Sequence, residues 1–100
     1  MLELYQYEEC PDCAEVRKVL TDLGLDYITR NEPRDRAERR RAQQIAGDDG
    51  AVPILVDTTR GVILVERPDI IAYLRDVYGT QEERFADIQS RFSVEEDITR

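Results

Sequence analysis

Two cysteines, Cys10 and Cys13, stand three residues apart in the stretch YEECPDCAEV, and the chain has no others. This spacing keeps two sulfurs near enough to bond. It suits thiol–disulfide exchange, in which one thiolate attacks a disulfide and a neighbouring thiol resolves the mixed disulfide. Two other readings compete with it. Unpaired cysteines often fill a core as small hydrophobes. A structural zinc site needs four ligands, and a chain with two cysteines and no histidine could supply them only through a dimer or carboxylates, so no metal is expected. Lack of histidine also removes imidazole from any acid–base step.

The flanking residues decide what each sulfur does. LELYQY alternates apolar and polar residues and reads as a strand, with Leu2, Leu4 and Tyr5 as inward candidates. From Pro11 the period changes: Cys13, Val16, Val19, Leu20 and Leu23 follow one helix face, and Gly24 is placed to end it. Pro11 suits the first helical position, which puts Cys10 at or just before the N-cap. Unsatisfied N–H groups and the positive end of the helix dipole favour an anion there, so Cys10 is expected to be the reachable, attacking thiol. Cys13 shares its face with Val16 and Leu20 and is expected to be shielded, as the resolving thiol.

The rest of the chain supplies the frame. LDYIT (25–29) reads as a second strand, and EPRDRAERRRAQQIAG as a helix running from Pro33 to Gly47 with Ala37, Arg41, Gln44 and Ile45 along one face. VPILVD (52–57) and GVILVE (61–66) form an antiparallel hairpin across the turn-like TTR. RPDIIAYLRDVYG gives a helix from near Pro68 to Gly79, with Ile70, Ile71, Leu74 and Val77 facing inward. The order is β-α-β-α-β-β-α, a single domain over residues 1–78 followed by a charged extension, 79–100. Phe85, Ile88 and Phe92 keep helical spacing in that extension, which reads as a short helix capping the core or as a docking segment.

With 22 acidic against 14 basic residues the net charge is -8, which argues against nucleic acid or an anionic membrane as partner. No run approaches the length of a membrane span and the N-terminus lacks a secretory signal, so a cytoplasmic protein is expected. In that reducing compartment a close cysteine pair is redox-active or metal-binding rather than structural. Lys18 is the only lysine. Arginine preference with high acidity suits a halophilic cytoplasm, where salt screens self-repulsion; GC-rich codon usage gives the same bias. Arg34, Arg36, Arg39, Arg40 and Arg41 invite an anion-binding reading, but Asp35 and Glu38 are interleaved with them, and a solvated, ion-paired helix face is the preferred one.

These segments carry a resemblance. YQYEECPDC resembles the strand-to-helix active site of the glutaredoxin family, in the thioredoxin-like superfamily; AVPILVD is similar to its strand that follows a cis proline. VERPDIIAYL resembles the matching segment of glutathione transferase N-terminal domains, which are close relatives. The similarity covers residues 1 to about 78. It implies an α/β, thioredoxin-like (glutaredoxin) fold with a central four-stranded mixed sheet, and the activity of a thiol–disulfide oxidoreductase.

Residue by residue, the resemblance implies that Cys10 and Cys13 are the redox pair. Val52, before the cis bond to Pro53, would pair its backbone with the cysteine portion of a glutathione-like thiol, and Glu66 and Arg67 would receive the γ-glutamyl end. Tyr5 and Tyr7, leading into the motif, join the ligand-binding set. The bland alternatives are a proline that merely starts an edge strand and a polar helix start at Glu66–Arg67. No cofactor is required; glutathione or γ-glutamylcysteine is the co-substrate, disulfide-containing proteins are the substrates, and the protein is a monomer. An iron–sulfur or thiol-carrying module of the same fold is the main alternative. A conjugating transferase ranks last, for want of the all-helical second domain.

The sequence also departs from the family's pattern. Tyr7 stands where a lysine often supports the thiolate, Asp12 replaces an aromatic residue, and Glu8, Glu9 and Glu15 crowd the same helix end, where their charge opposes a thiolate.

Overall fold

The computed structural model describes residues 1–47 and 49–79. Alternation in the first residues is realised as strand β1 (Leu2–Gln6), which buries Leu2, Leu4 and Gln6. Tyr5 is half-buried and points to the other side of the sheet, contrary to the expectation that it faces inward; strict alternation with Leu2 and Leu4 hands the third inward place to Gln6. Helix α1 (Pro11–Asp22) follows, burying Cys13, Val16, Val19 and Leu20, and it ends before Gly24, whose φ of 67° is a left-handed conformation that glycine adopts without strain.

Strand β2 (Tyr27–Asn31) begins two residues later than the apolar run suggested. β3 (Ile54–Asp57) and β4 (Val62–Leu64) form the expected hairpin, and α3 (Arg67–Tyr78) follows. The sheet order is β2-β1-β3-β4. β1 runs parallel to β2 and antiparallel to β3, so the sheet is four-stranded and mixed, as expected. α1 and α3 pack together on one face over Leu2, Leu4 and Leu55, with Leu20, Ile70 and Leu74 closing the core. Fully burying a leucine such as Leu4, Leu20 or Leu74 contributes about 2 kcal/mol.

The stretch from Pro33 to Gly47 is not one helix. A 3-10 turn (Arg36–Glu38) and a short α2 (Arg40–Ala46) are separated by Arg39 at φ -83°, ψ 73°. The buried residues are Arg39 and Ala42, whereas Ala37, Arg41 and Gln44 are exposed and Ile45 is half-buried. The break has a local cause: Arg39 lies inward and its guanidinium donates to the carbonyls of Pro33 (2.8 Å), Arg34 (2.8 Å) and Gly50 (3.0 Å). Buried Glu32 serves α2 from outside, accepting the Ala42 N–H at 3.2 Å and the Arg41 Nε at 2.7 Å.

At the hairpin, Asp57 is 0 % exposed and accepts hydrogen bonds from the hydroxyls of Tyr73 (2.8 Å) and Tyr78 and from the Thr59 N–H (3.2 Å). These bonds tie both ends of the last part of α3 to β3. Among the described residues no helix is long and apolar enough to cross a membrane. Phe85, Ile88 and Phe92 lie outside the described residues.

Candidate active site

β1 and α1 place the cysteines. Pro11 occupies the first helical turn and Cys10 is the N-cap, in extended conformation at φ -67°, ψ 117°. The Cys10 N–H donates to the Tyr7 carbonyl at 3.2 Å, which folds the loop between strand and helix. The Cys10 Sγ accepts the Cys13 N–H at 3.1 Å, so the sulfur takes the place that a capping oxygen would fill. This bond and the helix dipole both favour negative charge on that sulfur.

The expected contrast in exposure is smaller than predicted. Cys10 is 5 % exposed and Cys13 0 %, so both are buried; Ala51 and Val52 line the same cavity as Cys10. The asymmetry is one of direction. Cys10 opens on a cavity of about 230 Å³ that Cys13 does not line. Burial above all pushes the Cys13 thiol up, to about 12, and its hydrogen bond with Cys10 adds to the rise.

Tyr7, Pro11, Asp12 and Val52 form part of the cavity wall beside Cys10. The Val52–Pro53 bond is cis, with Pro53 buried and Val52 half-buried. Tyr5 does not line this cavity; it lies near Glu3, with the Arg41 guanidinium 5.5 Å from its ring. Glu66 is exposed at the N-cap of α3. Arg67 does not line the cavity either; it is hydrogen-bonded to Glu15 and 4.0 Å from the lining residue Asp12, and its bond to Glu15 raises its already high pKa.

The rest of the wall comes from Arg36, Arg39 and Ala51; the sequence offers the arginine cluster as an anion site without singling out a member, and it gives no sign of Ala51. Arg39 is 6 % exposed and stacks its guanidinium 4.8 Å from the Tyr7 ring centre. Tyr7, at the position where a lysine was missed, therefore supports a cation from another element. Gly50, whose carbonyl accepts from Arg39, must be glycine: at φ 68° a Cβ there would lie 2.8 Å from the Arg36 carbonyl. Three other arginines of the cluster are ion-paired, although with distant acids rather than Asp35 and Glu38: Arg34 with Glu9 (2.8 Å), Arg36 with Asp49 (2.5 Å) and Arg41 with Glu32 (2.7 Å). Glu9 is held below the usual carboxylate range by its hydrogen bond from Arg34. The acids expected to oppose a thiolate are thus partly neutralised, Glu9 by Arg34 and Asp12 and Glu15 by Arg67.

Residues 4–83 match the family described as glutathione S-transferase, N-terminal domain. Among solved structures, a glutathione transferase from Phanerochaete chrysosporium in complex with oxidized glutathione is 28% identical, with a TM-score of 0.69 over 77% of this chain and 36% of that one. A diazinon-metabolizing glutathione S-transferase from the silkworm Bombyx mori is 25% identical, with a TM-score of 0.67 over 78% of this chain and 38% of that one. A glutathione transferase homolog from Sulfitobacter with bound glutathione, 22% identical, shares the fold at a TM-score of 0.67 over 78% of this chain and 37% of that one. The chain therefore spans little more than a third of the length of these structures. No curated protein sequence matches it.

Proposed function

The chain belongs to the glutathione S-transferase N-terminal domain family, whose fold is thioredoxin-like, and from that membership and its CPDC pair we propose that it is a glutaredoxin-like thiol–disulfide oxidoreductase. The observation that carries the reading is the Cys10 sulfur seated at the mouth of α1, accepting the Cys13 N–H and opening on a cavity. Cys10 attacks one sulfur of a substrate disulfide, forms a mixed disulfide and releases the other half as a thiol. Cys13 then displaces the substrate from Cys10, and the pair leaves as a disulfide. Its reduction by glutathione or γ-glutamylcysteine completes the cycle. Val52 and Pro53 flank the incoming thiol, Tyr7 walls the cavity, and Glu66 and Arg67 receive the thiol's γ-glutamyl end; Tyr5 acts only through its neighbours.

The working unit is a monomeric domain of residues 1–78, with 79–100 as a charged extension, acting in the cytoplasm on protein disulfides without a metal and without nucleic acid or membrane as partner. Its net charge of -8 supports a halophilic setting. Raising salt from about 0.1 M to about 1 M shortens the screening length from about 10 Å to about 3 Å, and the thermal midpoint is expected to rise. A midpoint that falls steadily over the same range would remove the halophilic part of the reading.

The test of the activity uses a glutathionylated peptide and the reduced protein. Deglutathionylation is expected to drop to background in Cys10→Ser and also to be lost in Cys13→Ser, the signature of a dithiol route. Loss in Cys10→Ser alone makes the route monothiol, and activity that survives in Cys10→Ser ends the reading. A second reading, that the domain holds a thiol without turnover, is supported by the glutathione bound in two of the neighbouring structures. It predicts saturable glutathione binding that neither serine variant abolishes, with no disulfide formed between Cys10 and Cys13.

A further inference from the structure

Gln6 is a polar residue in an apolar place. It ends β1 on the core side and is 2 % exposed, where the alternation with Leu2 and Leu4 would call for a hydrophobe. Its side chain is fully engaged: the Nε2 donates to Asn31 Oδ1 at 2.7 Å, and the Oε1 accepts from Arg17 Nη1. Arg17 Nη2 in turn donates to the Glu8 carbonyl at 3.2 Å, inside the loop that delivers Cys10. A continuous chain of hydrogen bonds therefore runs from the end of β2, through β1 and α1, to the residues just before the cysteine pair.

Arg17 lies one helical turn after Cys13, so the two share a face of α1, and helix side chains lean back toward the N-terminus. Arg17 is half-buried and among the described residues it has no carboxylate within ion-pair distance; its partners are two neutral oxygens. Arg34, Arg36, Arg41 and Arg67 are by contrast neutralised by acids. Among the described residues its charge is therefore uncompensated, in a partly dry setting where screening is weak.

We infer that Arg17 is a positioning residue for the second half of the exchange: it fixes the Tyr7–Glu9 loop to the end of β1 and sets an uncompensated positive charge beside Cys13, where the resolving thiolate must form. The inference rests on the dithiol reading above. In that step the Cys13 thiol gives up its proton, its sulfur attacks the Cys10 sulfur of the mixed disulfide, and the bond from Cys10 to the substrate sulfur breaks. The departing substrate thiolate takes up a proton, and the substrate has gained the two electrons that the protein dithiol has lost. Burial is the main influence opposing ionisation of Cys13, and the Arg17 charge is among those that pull the other way.

Dithiobis(nitrobenzoate) separates the two steps, because attack by Cys10 releases one coloured thionitrobenzoate and resolution by Cys13 releases a second. Arg17→Gln is expected to slow the second release about tenfold, the effect of one unit of ionisation, while the first stays within about twofold. Arg17→Lys keeps the charge and should retain most of the second rate. Gln6→Glu leaves Arg17 in place and pairs its charge, and should slow the second release to a similar degree, moving its pH dependence upward as Arg17→Gln does. This variant carries the test alone if Arg17→Gln fails to fold, since a merely structural bond would be strengthened rather than lost. Second-phase rates within about twofold of the parent in Gln6→Glu, and in Arg17→Gln where it folds, overturn the role of Arg17 and leave the oxidoreductase reading standing. A parent protein that releases a single equivalent overturns the dithiol reading, and the inference with it.

Discussion

Replacing Asp57 by alanine is expected to destabilise the domain by about 3 kcal/mol, measured as a lower urea midpoint at neutral pH. The carboxylate is fully buried and accepts from Tyr73, Tyr78 and the Thr59 N–H, with the Arg60 Nε 3.8 Å away. Its removal leaves two tyrosine hydroxyls without their acceptor and a hole beneath the hairpin, which costs more than the bonds contribute in place. Asp57→Asn keeps an acceptor in the same space and should cost about half as much.

The same residue sets a pH dependence. Burial pushes the Asp57 carboxyl up, but the hydrogen bonds from Tyr78 and Tyr73, with those from the Arg60 and Thr59 backbone, outweigh it and hold the pKa below the ordinary value. A group depressed in the folded state contributes stability that is fully present above its unfolded value, about 4, and is lost as pH falls through the folded value. The parent should therefore lose its advantage over Asp57→Asn as pH is lowered below about 4. A difference between the two that stays constant from neutral pH down to the acid limit would contradict this account. Tyr73 shows the other half of the linkage: burial first, then the Asp57 bond, raises its hydroxyl to about 12, so the contact survives into alkaline solution.

Arg39→Ala should be the second most damaging change, at about 3 kcal/mol, with loss of exchange activity beyond what the stability change explains. One guanidinium satisfies carbonyls from Pro33, Arg34 and Gly50 and stacks on Tyr7, so its loss strands three acceptors and removes a cavity wall at once. Lysine carries the charge but has no planar fork to span those carbonyls, and Arg39→Lys is expected to recover little of the stability. Hydrogen exchange should rise across residues 33–50 in both variants. A lysine variant as stable as the parent would mean that charge, rather than the guanidinium's geometry, is what the site uses.

The parts of this protein that were legible in its sequence are those set by local periodicity. β1, α1, the β3–β4 hairpin and α3 each carry an apolar repeat that burial enforces, and Pro11 marks the start of α1, which placed Cys10 at or just before the N-cap that it occupies. What was not legible depends on partners far along the chain. Arg39 looked like one of several surface arginines because its three acceptors are carbonyls, which no residue type announces. Gln6 gave no sign of its burial, since its partners Asn31 and Arg17 come from a strand and a helix it meets only after folding. The break at Arg39 was hidden for the same reason: helix propensity favours continuation through RRRAQQ, and the tertiary pull on one side chain decides otherwise. Asp57 read only as the polar end of the VPILVD strand and proved to be the tie between the hairpin and α3.

The inward turn of Cys13, away from the cavity, bears on how this pair would withstand peroxide. An oxidant small enough to enter meets Cys10 first and converts it to a sulfenic acid, a state that a second oxidation would carry to irreversible sulfinic acid. A more deeply buried thiol three residues away, outside the cavity, can condense with that sulfenic acid and expel water, which diverts the damage into a reversible disulfide.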